Sequence, residues 1–460
     1  MLSVLLLLYI LIAIKIVDSF TKFIFNDINE KIKLKLPLRE KNIIKQIDGF
    51  YGLIGPNINM NSDIDSLYQL FTSDGIIQGV FFKNGELTFV KHLIKTEKIL
   101  YEERNGKIPT KNFFLTIFLL ILNKIKMFPN VMGMANTAIL NVDNNNYALF
   151  ERDLPYLLDI NFNENIINTI KKVKISAFEH FSGHSKMTST GNIETLDYKI
   201  VNNIVSYYVL NPNFNIVDSF DFKFKYVPIV HDFYSNDNNI ILIDSPLMYK
   251  LNNILTQKIP INLVHNKNTF IYIYDKKTKK YEEYVYENGF YIFHYGDVKE
   301  NKDTIEIYAS LYEDLDFTNI NIMGKYRMIE INKKTRKVTI KKDDEIEKYN
   351  LDFPIVYQDK IISRHFENRR IKGFVITKNL NIHKELFFKN KNICGEHNII
   401  YIKKVPYLLF FNIEKNNYTK IDRNLLSLVN LHNYNTIDIE LNYSLSLGFH
   451  SIFINNSFLK

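Results

Sequence analysis

Residues 76–92 read IIQGVFFKNGELTFVKH, two alternating apolar and polar runs on either side of the dipeptide Asn84-Gly85. Alternation with a period of two predicts β-strands, and Asn-Gly supplies the positive φ angles of a tight hairpin turn. Three further segments have the same form: NTAILNVDNNNYALFE (136–151), KYRMIEINKKTRKVTIKK (325–342) and NIIYIKKVPYLLFFNIEKNNYTKI (398–421). The sequence therefore predicts an all-β protein built from repeated hairpins.

Four histidines lie in short apolar or aromatic frames that are far apart in the chain: FSGHSK (His184), PIVHDF (His231), YIFHYG (His294) and LGFHSI (His450). Spacings this wide exclude a local zinc motif, so a shared metal ion would need strands from across a whole domain. Repeated hairpins leave a series of sandwiches, a solenoid or a propeller. A propeller is favoured because it brings distant strands to one axis.

The composition limits the classes of partner. Hydrophobic residues make up 46% of the 460-residue chain and aromatic residues 14%, which supports a large core rather than extended disorder. The net charge is +8, but the basic residues are scattered over strands and turns, so we expect no nucleic-acid partner. Cys394 is the single cysteine, so any metal here must be held by nitrogen and oxygen.

Two apolar segments differ from the hairpin pattern. Residues 1–14, MLSVLLLLYILIAI, are fewer than the roughly 20 that comfortably span a bilayer, so region 1–20 is predicted to be a signal peptide or a short anchor, with a buried core helix as the third option. Residues 108–128 predict a helix that covers one propeller face or dips into a membrane. We therefore expect membrane association, in an endomembrane or secretory setting, with a peripheral cytoplasmic location as the alternative.

Several motifs together resemble the carotenoid cleavage oxygenase family. GFYGLIGPN (49–57) is similar to the family's first motif, and GMANTAILNVDNNNYALFERDLPYLLD (133–159) to its small-residue-Asn-Thr segment and following acid. The frames of the four histidines resemble the four iron-ligand segments in the family's order. The resemblance covers about residues 35–460 and implies one catalytic domain, a seven-bladed β-propeller with iron on its axis and a helical cap on one face.

Carried over residue by residue, the resemblance implies that His184, His231, His294 and His450 bind Fe(II) and form the catalytic apparatus. It also implies carboxylates that orient three of these histidines. Glu151 matches the first, and Asp352, in LDFP, stands where the family has Glu. The third is expected near residues 400–412, where this chain instead has Lys403 and Lys404, so the sequence predicts that this acid is missing.

The function implied is a dioxygenase that uses Fe(II) and O₂ to cleave a carbon–carbon double bond of a carotenoid or apocarotenoid, giving two carbonyl products. Its partners would be an apolar polyene, O₂ and a membrane surface contacted through residues 108–128 and 1–14. Three alternatives stay open: a stilbene-cleaving oxygenase with Tyr101 as the phenol-activating residue, a retinoid isomerase or isomerohydrolase, and a catalytically degenerate lipid-binding propeller.

Overall fold

The computed structural model describes residues 29–64, 66–108, 113–129, 131–176, 178–250, 253, 259–317, 319–415 and 422–456. In these segments the chain forms seven antiparallel sheets of four or five strands and one small two-stranded sheet. The seven large sheets are the blades of a β-propeller, as the sequence predicted. Blades 2, 3, 5, 6 and 7 are each assembled from strands that follow one another in the chain, whereas a small two-stranded sheet separates the two strand pairs of blade 4.

The strands follow in chain order. Blade 1 begins with β1 (Asn29–Leu34), β2 (Gly49–Pro56), β3 (Gly75–Lys83) and β4 (Glu86–Leu93). Blade 2 contains β5 (Ala138–Val142), β6 (Asn145–Leu149), β7 (Tyr156–Asn161) and β8 (Ile166–Lys172). Blade 3 contains β9 (Lys186–Met187), β10 (Ile193–Lys199), β11 (Ile204–Leu210) and β12 (Ile216–Lys223).

Blade 4 contains β13 (Tyr234–Ser235) and β14 (Asn239–Asp244), then, after the small sheet of β15 (Leu247–Tyr249) and β16 (Ile261–Leu263), β17 (Thr269–Asp275) and β18 (Lys280–Tyr286). Blade 5 contains β19 (Tyr291–Glu300), β20 (Thr304–Tyr312), β21 (Lys325–Asn332) and β22 (Val338–Lys341). Blade 6 contains β23 (Leu351–Tyr357), β24 (Lys360–Glu367), β25 (Arg370–Lys378) and β26 (Asn381–Phe387).

Blade 7 contains β27 (Lys391–Ile393), β28 (Asn398–Ile402), β29 (Val405–Glu414), β30 (Arg423–Asn430) and β31 (Thr436–Glu440). Both β27 and β28 pair with β29, so they form one interrupted inner strand. The last strand, β32 (Ser451–Asn455), returns to blade 1 and pairs antiparallel with β2. This pairing closes the ring, because it joins the C-terminal end of the described chain to its first blade.

The predicted hairpin at residues 76–92 is confirmed as β3 and β4. Asn84 and Gly85 have φ angles of 55° and 77°, and they form the two-residue turn between the paired residues Lys83 and Glu86. Only a turn of this handedness matches the right-handed twist of the two strands, which is why Asn-Gly fits here.

Apolar residues between neighbouring blades form the core. The strands β2 and β3 are buried on both faces, since each blade packs against a blade on either side. One cluster joins Leu53 of blade 1 to Phe411 and Leu426 of blade 7, and a separate cluster joins blades 4 and 5. Removing a buried leucine side chain from such a cluster costs about 2–5 kcal/mol, so the blades hold one another in place.

Four helices lie among the described residues: α1 (Leu38–Ile44), α2 (Leu67–Phe71), α3 (Glu97–Asn105) and α4 (Phe113–Lys124). The last confirms a helix within the predicted segment 108–128, although it is shorter than that segment. In and directly after it, Ile121, Ile125 and Met127 are 54%, 58% and 64% exposed.

No helix in the described part of the chain is long and apolar enough to cross a membrane. Residues 1–14 lie outside the described residues, and their role as a signal peptide or anchor stays a prediction.

Candidate metal centre

The four histidines occupy equivalent places in four blades. His184 lies two residues before β9, His231 three residues before β13, and His450 directly before β32, while His294 is the fourth residue of β19. The pairing of β19 with β20 shifts register on both sides of Tyr295, an irregularity that redirects the neighbouring side chains. All four side chains therefore approach one point from the beginning of an inner strand or from the three residues before it.

The imidazoles meet at one point. Each histidine offers one ring nitrogen, and the four nitrogens all lie within 4.8 Å of one another. The Nε2 atoms of His184 and His231 are 3.1 Å apart, and those of His294 and His450 are 3.3 Å apart. Ligand nitrogens at about 2.1 Å from one ion, at right angles, are about 3.0 Å apart. The spacing therefore fits a single metal ion.

Three carboxylates contact the opposite nitrogens of three of these rings. His231 Nδ1 lies 2.7 Å from Glu151 Oε1, His294 Nδ1 2.8 Å from Asp352 Oδ1, and His450 Nδ1 3.1 Å from Glu396 Oε1. An Nδ1–H donated to a carboxylate leaves Nε2 as the free base that a metal binds. Among the described residues, no carboxylate contacts His184, so the site has three paired ligands and one unpaired.

Each of the seven blades contributes one group to this arrangement. The histidines come from blades 3, 4, 5 and 1, and the carboxylates from blades 2, 6 and 7. The three pairs bridge blades 2 and 4, 5 and 6, and 7 and 1. A site built in this way depends on the whole ring rather than on one local motif.

Asp352 is held in place by a local distortion of β23. The pairing with β24 shifts register between Asp352 and Ile355, and Phe353 in this bulge has a φ of 55°. A bulky residue in the left-handed region costs about 1–3 kcal/mol, and such strain clusters at functional sites. The bulge directs Asp352 to His294 and stacks Phe353 on the His450 ring, with the two ring centroids 4.8 Å apart.

The prediction that the third acid is missing is wrong, because Glu396 supplies it. Its Oε1 faces His450, and its Oε2 accepts a hydrogen bond of 2.7 Å from the Ser451 backbone N–H. Lys403 and Lys404 instead form the exposed turn between β28 and β29, with φ angles of 49° and 67°. Glu396 comes from the break between β27 and β28, where the inner strand of blade 7 leaves its pairing and approaches the axis.

Burial keeps His184 and His294 neutral, whereas the carboxylates at the site stay charged. Burial and the three neighbouring imidazoles lower the pKa of His184 well below its usual value. Burial would likewise lower the pKa of His231, but Glu151 outweighs it and raises this pKa. Burial would raise the pKa of each of the three carboxylates, yet the adjacent histidine keeps it below the usual value. The charged acids thus offset a positive charge at the centre.

The donor set fits Fe(II). Four imidazole nitrogens suit a divalent transition metal, and the chain's only cysteine, Cys394, has no place among them. Four neutral imidazoles would not reduce the charge of a bound divalent ion. The three carboxylates, which contact the histidines rather than the ion, would compensate that charge. The histidines that would hold the ion are the four that the sequence identified.

A mainly apolar cavity of about 380 Å³ adjoins the histidines. Its lining includes Leu67 and Leu70 of α2, together with Phe353 and Phe449. The hydroxyl of Tyr68, on the same helix, contacts Thr116 of α4 at 3.2 Å, so α4 lies close to this end of the cavity. A cavity of this size and polarity is typical of a site for an apolar small molecule.

Two further residues at the cavity were not identified from the sequence. Tyr312 donates a 2.6 Å hydrogen bond to Asp352 Oδ2, and the Arg364 guanidinium lies on the Phe353 ring, 3.2 Å from its centroid. Burial lowers the pKa of Arg364 to about 10, which leaves it charged at neutral pH. Tyr101, by contrast, is not among the cavity's lining residues: it packs against Phe128 beside α4. The sequence prediction for Tyr101 is wrong in its placement.

Comparison with known proteins places this site in a family. The sequence model of the family described as retinal pigment epithelial membrane protein matches residues 27–367. The chain is 23% identical over 305 residues to carotenoid 9,10(9',10')-cleavage dioxygenase 1 of Pisum sativum, covering 60% of this chain and 53% of that protein. For the Phaseolus vulgaris protein of the same name the identity is 22% over 349 residues, covering 68% and 61%. The chain thus spans about half the length of the curated relatives it matches.

Solved structures agree on the fold. The cobalt-substituted apocarotenoid oxygenase of Synechocystis superposes with a TM-score of 0.73 at 14% identity, covering 96% of this chain and 98% of that one. The lignostilbene dioxygenase of Pseudomonas brassicacearum gives a TM-score of 0.71 at 14% identity, covering 95% and 96%. From the family match over most of its length, the chain belongs to the retinal pigment epithelial membrane protein family, the family of the carotenoid cleavage oxygenases.

Proposed function

We propose that the protein is an Fe(II)- and O₂-dependent dioxygenase that cleaves a carbon–carbon double bond of a carotenoid or apocarotenoid to two carbonyl products. The observation that carries this proposal is the group of four histidine nitrogens within 4.8 Å of one another, with three carboxylates behind them and an apolar cavity beside them. The curated relatives are carotenoid cleavage dioxygenases, which supports this substrate class over others.

Fe(II) bound by the histidines would supply the activation of O₂ beside the double bond. The chain's own residues bind and orient the polyene, because apolar side chains such as Phe353 and Phe449 line the cavity next to the ligands. The same side chains keep water from the reacting carbons. One O₂ provides both carbonyl oxygens, so the overall reaction needs no external reductant and no side-chain acid or base.

Metal analysis and product analysis together test the proposal. The purified full chain is expected to hold about one iron per molecule, and a His231→Ala variant to lose it. His432→Ala is the matched control, because His432 lies in the exposed turn after β30 and should leave iron binding unchanged. Incubation with β-carotene, an apocarotenal and resveratrol should give carbonyl products from the first two. A folded protein that takes up no iron contradicts the proposal.

The same products separate the alternatives. Cleavage of resveratrol alone favours the stilbene-cleaving oxygenase, and conversion of a retinyl ester without consumption of O₂ favours the isomerohydrolase. A degenerate lipid-binding propeller was suggested by the expected loss of the third carboxylate. Because Glu396 fills the third carboxylate position, the loss of that carboxylate no longer supports a degenerate propeller.

We further propose that α4 and the residues after it dock the protein on a membrane, from which an apolar polyene enters the cavity. The exposed side chains of Ile121, Ile125 and Met127 form an apolar surface that water does not favour. Localisation at an endomembrane or in the secretory route follows as part of this proposal, with residues 1–14 as a second contact.

A further inference from the structure

A second, cationic cavity adjoins the apolar one. It has a volume of about 230 Å³, and its lining includes Arg370, Lys372, Lys391 and Lys415 together with two asparagines and one phenylalanine. Arg370 and Lys415 also line the apolar cavity, so the two cavities share a wall at these side chains. The apolar cavity therefore extends from the histidines to a strongly positive end.

Among the described residues, acidic side chains pair with two of these four cations. The Lys391 ammonium is 2.6 Å from Asp438, and that of Lys415 is 3.9 Å from Asp422. Within the described residues, Arg370 and Lys372 have no acidic partner. Arg370 is exposed and Lys372 is half-buried, so both can reach a ligand, and like charges grouped around a concave site attract an anion.

Arg364 extends the positive charge inward. It lines the apolar cavity, and within the described residues its buried Nη1 atom has no hydrogen-bond partner. Among the described residues that line this cavity, apart from the carboxylates that contact the histidines, Asp63 is the one acid, and Arg364, Arg370 and Lys415 are cations. The cavity is thus mainly apolar along its length and has its cations Arg370 and Lys415 at the end that it shares with the second cavity, which suits a molecule that is apolar along its length and anionic at one end.

We propose that the substrate is a polyene with a carboxylate at one end. The cationic cavity holds the carboxylate through Arg370 and Lys372, which have no acidic partner among the described residues, while the conjugated chain lies in the apolar cavity with its double bonds toward the four histidines. This inference rests on the proposed function, and it narrows the substrate class from carotenoids in general to acidic apocarotenoids.

All-trans-retinoic acid and retinol are suitable probes, because they have the same polyene and differ only in the end group. Their equilibrium binding to the full-length, iron-loaded protein can be followed by quenching of tyrosine fluorescence, since the chain has 29 tyrosines and no tryptophan. We expect the acid to bind about 10- to 100-fold more tightly, the range of one hydrogen bond to a charged group. Equal affinity for the two probes would overturn the proposal.

The double variant Arg370→Gln/Lys372→Gln should lose the preference for the acid and bind retinol as the wild type does. Lys334→Gln/Arg336→Gln is the matched control, because it removes the same charge from the turn between β21 and β22 and should keep the preference. A parallel loss for both probes would mean that the two cations have only a structural role, which also overturns the proposal.

Two further experiments distinguish carboxylate recognition from membrane binding by the same cations, and failure of this inference from failure of the proposed function. If the cations serve a membrane, the first double variant loses binding to phosphatidylserine vesicles but keeps its preference for retinoic acid, and the proposal fails. In cleavage assays, a protein that cleaves acid and alcohol polyenes equally well retains the proposed function and refutes this inference. A protein that binds the acid selectively but cleaves no polyene supports this inference and refutes the proposed function.

Discussion

Replacing Glu396 by Ala should weaken Fe(II) binding about 10- to 100-fold, the usual effect of removing a residue that orients a metal ligand. The substitution removes the acceptor 3.1 Å from His450 Nδ1 and the acceptor 2.7 Å from the Ser451 N–H. It also removes one of three negative charges around the ion. The expected loss of binding free energy is therefore about 1.4–2.8 kcal/mol.

Glu396→Gln tests the same contact at constant volume. Its amide has one oxygen for two donors, so either the His450 N–H or the Ser451 N–H faces an NH₂ group. We expect about tenfold weaker binding, in the lower part of the range for Ala. The affinity can be measured anaerobically by competition with a chromophoric Fe(II) chelator, with the melting temperature of the metal-free protein as a check on folding.

Lys403→Glu provides the matched control. It restores an acid where the sequence led us to expect one, but it lies in the exposed turn between β28 and β29, away from the histidines. It should leave the affinity for Fe(II) unchanged. The reasoning is refuted if Lys403→Glu tightens binding, or if folded Glu396→Ala binds Fe(II) as the wild type does.

Three other predictions follow from particular contacts. Tyr312→Phe removes the 2.6 Å hydrogen bond to Asp352 and should weaken Fe(II) binding about three- to tenfold, given about 0.5–1.5 kcal/mol for one hydrogen bond; full affinity in the chelator assay would contradict this. Burial raises the pKa of Asp244 to about 7, so the folded protein holds a proton there that the unfolded chain releases near pH 4. Stability from this group is present at low pH and is lost as the pH rises to 7, by at most about 4 kcal/mol. Asp244→Asn should lack this loss in urea unfolding at pH 4.5 and 8, and parallel pH profiles for the two proteins would be evidence against it. The triple variant Ile121→Gln/Ile125→Gln/Met127→Gln should bind liposomes at least tenfold more weakly, since each exposed side chain is worth about 1.5–3 kcal/mol when buried in an apolar phase. The control Val201→Gln replaces an apolar residue elsewhere that is even more exposed, at 86%, and an equal effect of both would refute docking through α4.

The sequence predicts the parts of this protein that follow local rules. The turn at Asn84-Gly85 could be identified because its positive φ angles favour those residues in any hairpin. The four histidines could be identified because each has a frame of apolar neighbours and the family's order supports the set. The propeller then follows from hairpins that repeat and ligands that are far apart.

The remaining features of the site depend on strand pairing over long distances in the chain, which the sequence alone does not reveal. Glu396 was missed because the inner strand of blade 7 is interrupted, with β27 and β28 both pairing with β29. This break shifts the acid several residues upstream of its expected place. The left-handed backbone conformation of Phe353 could not be predicted either, because phenylalanine rarely adopts a positive φ and the bulge in β23 imposes it here.

The pairing of β32 with β2 couples metal binding to closure of the propeller ring. His450 precedes β32 by one residue, and β32 pairs with β2 from the other end of the described chain. The position of His450 beside the other three histidines therefore depends on the pairing of β32 with β2. Ion loading and ring closure are therefore thermodynamically linked, so each strengthens the other. Loss of the metal ion would therefore favour opening of the ring at the seam between β2 and β32, and protection of this seam from hydrogen exchange should increase when the ion binds.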